Sequence, residues 1–102
     1  MSKVKAVVKQ PGCKPKQVSV ENALASMQEL VGGYIEAVYL RGGMVIICNE
    51  EGKLRGLEPN FPLGLDVICG PAVFLGLKGG EFADLPMAFK DFKAAWPHLW
   101  EA

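Results

Sequence analysis

The sequence contains no threonine and a single histidine, His98, which follows a proline near the carboxyl end. Serine is confined to Ser2, Ser19 and Ser26. These shortages remove the usual settings of nucleophilic catalysis. No G-x-S-x-G elbow, no cysteine–histidine neighbourhood and no G-x-x-x-x-G-K-[ST] phosphate loop occurs. The pairs Gly32-Gly33, Gly42-Gly43 and Gly79-Gly80 read as turns. Cysteine is sparse and odd in number: Cys13, Cys48 and Cys69 form no C-x-x-C pair. With one histidine beside them, a zinc site of ordinary composition is not expected, nor is any other metal or cofactor. Cys48 and Cys69 sit in apolar runs and read as small core residues, whereas Cys13, flanked by Pro-Gly and lysines, is the expected exposed thiol. Net charge is also lacking: 11 basic residues balance 11 acidic ones. No global field draws the chain to nucleic acid, and it has no dense run of carboxylates such as a DNA mimic needs. No signal-peptide pattern opens the sequence and no apolar run is long enough to span a membrane, so a cytoplasmic protein is expected.

What is present is a compact core in prospect. The 102 residues, 50% of them hydrophobic, suit a single domain over 1–102. Charge is unevenly placed, with Lys3, Lys5, Lys9, Lys14 and Lys16 in the first twenty positions and no acid among them. No arginine or aromatic ring is interleaved, so nucleic acid is not the expected partner. A solvated strand face that blunts edge pairing explains these lysines.

The pattern along the chain predicts an α+β domain. KVKAVVK (3–9) alternates, QPGCKPK breaks it by composition, and QVSVE (17–21) resumes it, giving a first hairpin. Asn22 is placed to cap a helix whose stripe is Leu24, Met27, Leu30 and Val31, ended by Gly32-Gly33. YIEAVYL (34–40) and MVIIC (44–48) flank a glycine turn, and the second strand, apolar throughout, should be covered on both faces. DVICGPAVFLGL (66–77) should break at Gly70-Pro71, because proline cannot donate to a ladder. Asp84 then reads as the cap of a second helix carrying Leu85, Phe89, Phe92 and Trp96, stopped by Pro97. The order is β-β-α-β-β-(loop)-β-β-α, a mainly antiparallel sheet of five to six strands with two helices. Trp96, Leu99 and Trp100 either fold back on the domain or anchor a homodimer.

The most polar stretch is CNEEGKLRGLEPN, 48–60. A calcium loop is disfavoured, since Lys53 and Arg55 stand where oxygen ligands belong and a strand precedes it. A catalytic carboxylate pair from Glu50, Glu51 and Glu58 has no cleft visible in the sequence. A turn over 49–52, with Gly52 at positive φ and with Leu54 and Leu57 pinning the return to the core, accounts for more of the residues. A rigid polar loop beside a strand is also a natural recognition surface.

Three blocks of the sequence, SMQELVGGYIEAVYL (26–40), VIICNEEGKLRGLEPNFPLG (45–64) and DVICGPAVFLG (66–76), resemble the domain-of-unknown-function 3846 family over residues 3–84. Asn49, Glu50, Glu51, Gly52, Lys53, Gly56, Pro59 and Asn60 match its motif. The resemblance implies a small accessory protein of a bacterial mobile element or phage and carries over no activity. The expected function is therefore a non-enzymatic module binding a host- or element-encoded protein. Asn49, Glu50, Glu51, Lys53, Arg55, Glu58 and Asn60 are the expected contact residues. The alternative is a nucleotide-type ligand binder using Arg41, Arg55, Lys53 and Tyr39, since cations and a ring suit phosphate and base. A hydrolase built on the glutamates ranks below both.

Overall fold

The computed structural model describes residues 2–101. Strands β1 (Lys3–Lys9) and β2 (Lys16–Glu21) form the first hairpin, followed by helix α1 (Leu24–Val31). Strands β3 (Ile35–Tyr39) and β4 (Met44–Asn49) form the second hairpin, and β5 (Pro59–Leu63) and β6 (Asp66–Cys69) the third. Strands β7 (Ala72–Lys78) and β8 (Glu81–Ala83), helix α2 (Phe89–Ala95) and a 3-10 turn over Pro97–Trp100 complete the chain. Six strands make one antiparallel sheet in the order β2-β1-β7-β4-β3, with β8 also paired to β7, and β5-β6 stand apart as a two-stranded ribbon. The α+β class and the mainly antiparallel pairing agree with the sequence pattern.

The central strands explain the layering. Every residue of β4 is buried, as is β7 from Ala72 to Leu75, so each must be covered on both faces. On one face Met27 and Val31 of α1 pack against Val4, Ala6, Val45, Ile47, Val73 and Leu75. On the other, Phe74 projects into Phe61 of β5, Phe92 of α2 and Trp96, at centroid separations of 5.5, 5.0 and 5.3 Å. The aromatic tail belongs to this second core. Leu99 is 2% exposed, and Trp100 meets Phe89 and Phe92 at 5.8 and 6.0 Å. Trp96, Leu99 and Trp100 thus fold back on the domain, with Leu99 buried and the two tryptophans half-buried against the cluster that holds Phe61 and Phe92.

Local expectations fared unevenly. Gly32 ends α1 in the left-handed conformation at φ 77°, as a carboxyl-terminal glycine should. Gly70-Pro71 does divide β6 from β7. Asn22, however, is not the cap of α1. Ala23 takes that position, and the Asn22 amide donates instead to the Phe82 carbonyl at 3.1 Å. Asp84 is likewise no cap, for its carboxylate accepts from the Lys5 backbone N–H at 2.8 Å, and Pro86, which disfavours helix at Leu85, leads into a bend over 86–87 before α2 begins at Phe89. Both polar side chains tie β8 to β1 and the start of α1 rather than serving a local helix end. Strands β5 and β8 were not anticipated. Pro59 and Pro62 conceal β5, and they are tolerated because the ribbon is only two strands wide.

Candidate functional site

The loop from Asn49 to Glu58 is held to α1. Asn49, 5% exposed, accepts from the Glu51 N–H at 2.8 Å through its side-chain oxygen. Its amide nitrogen donates to the Val31 carbonyl at 3.1 Å. The Arg55 guanidinium donates to the Gly32 carbonyl at 3.0 Å. The last carbonyls of a helix have no partner within it, and these two side chains supply them. Asn49 and Arg55 thus fasten the loop to the end of α1.

Within the loop, Arg55 N–H donates to Glu51 and Leu57 N–H to Gly52, at 2.8 and 2.9 Å. Gly52 does not adopt the expected positive φ, which falls on Gly56 at 68°. Glycine is required at 52 for closeness: a Cβ there would lie 2.6 Å from the Cys69 carbonyl oxygen. Leu54 does not pin the return; it is 87% exposed at the tip.

Closure of the loop on β6 leaves a groove of about 520 Å³ between the β3–β4 hairpin and the β5–β6 ribbon. Glu36, Glu50, Glu51 and Asp66 carry its negative charge, and Lys53 is the cation among its described lining residues. Lys53 and Asp66 form an ion pair. The lysine holds the Asp66 carboxyl below the usual carboxylate range, aided by the Val67 N–H, and the Lys53 ammonium is raised in turn, chiefly by that hydrogen bond. Both side chains are largely exposed, so the pair contributes little to stability. It does neutralise the one lining cation, which leaves Glu36, Glu50 and Glu51 to set the field. Val38, Leu63 and Ile68 supply an apolar floor, while the lining residues Leu54 and Val67 stand exposed.

Cys48 lies at the base of this groove, its Sγ 3.8 Å from a Glu36 carboxylate oxygen. Burial first, then the Glu36 charge, pushes its thiol up to about 11. A thiol so placed is a protonated donor and not a nucleophile. The folded chain keeps this proton to about pH 11, whereas the unfolded chain releases it near the ordinary value of 9.0. The associated stability is present below pH 9.0 and lost as pH rises to about 11. We expect the stability advantage of wild type over Cys48→Ala to shrink by about 2 kcal/mol across that window, read from urea midpoints. Buried Lys9, whose ammonium is lowered chiefly by burial, titrates with the opposite sign but in both proteins, and so cancels in the difference. A constant gap would contradict the account.

The remaining sequence-nominated residues are not brought to the groove. Asn60 joins β1 to the β6–β7 corner, its amide donating to the Lys9 and Gly70 carbonyls at 2.7 and 2.9 Å. Glu58 is exposed, and its carbonyl accepts from Gly70 N–H at 2.8 Å. Arg41 and Tyr39 stand at the turn between β3 and β4, the opposite end of β4 from Asn49. The set Arg41, Tyr39, Lys53 and Arg55 is therefore dispersed. Sequence reading missed Glu36, Asp66, Cys48 and Cys69 as groove residues. The β3–β4 register, which sets Glu36 opposite Cys48, was the available signal, because cross-strand partners share a face.

A family model described as a domain of unknown function, DUF3846, matches residues 4–96. The match extends beyond the three sequence blocks, through α2 to Trp96. Comparison with curated proteins and with solved structures gave no significant match. Across nearly its whole length, from β1 to the end of α2, the chain belongs to the DUF3846 family.

Proposed function

We propose that the protein is a non-enzymatic binding module that takes an extended basic segment of a partner protein into the groove beside β3. The observation that carries this reading is the pairing of an acidic rim, Glu36, Glu50 and Glu51, with an apolar floor. Strand β3 borders that groove and, among the described residues, pairs only with β4. An open edge can accept a strand from another chain through its main-chain groups. Alternate side chains of such a strand would then meet the floor, and the intervening ones the carboxylates. Oppositely charged partners associate faster and with better discrimination. The family resemblance suggests the setting, an accessory protein of a phage or mobile element acting in the cytoplasm on a host- or element-encoded protein.

Selection of random displayed peptides tests this. Wild type should enrich sequences in which Lys or Arg alternates with apolar residues. The triple variant Glu36→Lys, Glu50→Lys, Glu51→Lys should lose them by at least tenfold while keeping its circular dichroism. Enrichment of neutral or acidic peptides, or equal capture by the variant, would overturn the reading.

A further inference from the structure

The opposite side of the sheet carries a second, chemically different cleft. Helix α1 packs over β3, β4 and β7, which leaves the β1–β2 hairpin on that face only partly covered. The register pairs Val4 with Val20, Ala6 with Val18 and Val8 with Lys16. Cross-strand partners point to the same face, so a valine stripe runs along the hairpin and ends at the Lys16 ammonium. Val8, Val18 and Val20 remain half-buried there, with Leu30 of α1 as the facing wall. The cleft they bound measures about 410 Å³, and Lys14 and Lys16 stand at its turn end without a carboxylate among its described lining residues. Ligand sites of this kind occupy about 300–1,000 Å³ and combine an apolar lining with a few placed polar groups. Glu21 and Glu29 border the adjoining depression past Val20. The cleft is thus positive at the hairpin turn, and the carboxylates lie in the depression that adjoins it at Val20 and Leu30.

We propose that this cleft binds an amphipathic monoanion, its unbranched hydrocarbon tail lying on Val8, Val18, Val20 and Leu30 and its carboxylate held by Lys14 and Lys16. Burial of methylene groups supplies affinity at about 0.8 kcal/mol each when fully covered. The two lysines set orientation, and Glu21 and Glu29 oppose the reversed pose. The lysine-rich hairpin thereby gains a role beyond solubility, and one independent of the acidic groove.

The test is calorimetric titration of the full chain with sodium decanoate below its micelle concentration. Decyltrimethylammonium, the same tail with the opposite charge, is the control. Saturable binding of decanoate is expected, at least tenfold tighter than that of decyltrimethylammonium. The Lys14→Glu/Lys16→Glu variant should weaken it at least tenfold, and so should Val18→Asn, whereas Glu36→Lys in the other groove should leave it unchanged. Absence of saturable heat, equal binding of the two amphiphiles, or decanoate affinity indifferent to the lysine and valine changes would overturn the proposal.

Discussion

Phe74→Ala is expected to destabilise the protein by about 3–5 kcal/mol, the range for removing a buried aromatic ring. Phe74 has no exposed surface, and it is the one ring that touches the β5–β6 ribbon, α2 and the Trp96 end of the chain together. Its loss leaves a cavity whose walls belong to separate elements, the ribbon, α2 and the tail, all packed in the same core cluster. The neighbours cannot collapse inward, because β7 is fixed on both sides by β1 and β4. At about 4–8 °C per kcal/mol for a domain near this size, the melting temperature should fall by roughly 12–40 °C. Tryptophan emission should shift red before global unfolding, since Trp96 rests on the same ring. Urea unfolding followed by fluorescence measures this. A loss under about 1.5 kcal/mol would show that α2 and the tail are held by something other than Phe74.

Gly76→Ala should have the next largest effect, about 3 kcal/mol, at the upper end for overpacking. Gly76 lies between Met44 on β4 and Ala83 on β8. A Cβ there would come 2.1 Å from the Asp84 carbonyl oxygen and 3.1 Å from its carbon. Both are backbone atoms, so no rotamer change relieves the clash and β8 must move away. That movement breaks two bonds which close the sheet, Lys5 N–H to the Asp84 carboxylate at 2.8 Å and Leu85 N–H to the Lys5 carbonyl at 2.8 Å. Amide exchange at Lys5 and Leu85 should therefore accelerate more than at Ile46 or Val73. Tolerance of alanine within 0.5 kcal/mol, with unchanged exchange at Leu85, would contradict the close approach.

These two residues mark what the sequence could and could not convey. Alternation in KVKAVVK and QVSVE announced the first hairpin, because a half-buried strand writes its faces into a period of two. The unbroken apolar run of β4 announced a strand covered on both faces. Gly32 and Gly70-Pro71 announced boundaries, because their backbone restrictions are local. Asn22 and Asp84 misled for the complementary reason: the side chains that cap helices also bond distant backbone, and nothing nearby distinguishes the two uses. Arg55 and Asn49 likewise bond distant backbone, at the end of α1, a role that only the fold reveals. The groove itself was hidden, since Glu36 and Asp66 become neighbours only once the β5–β6 ribbon lies across the face of β3 and β4. Gly52, expected as a turn glycine, is required by its distance to Cys69, which is a tertiary fact.

Recognition through the acidic groove is tested most directly by amide chemical-shift mapping of the labelled protein with a basic peptide enriched by display. The account predicts saturable shifts confined to residues 35–39 of β3, 50–54 of the loop and 66–69 of β6, abolished when Glu36, Glu50 and Glu51 are replaced by lysine. Shifts concentrated on the β1–β2 hairpin or on α2, with β3 and the loop unmoved, would contradict it.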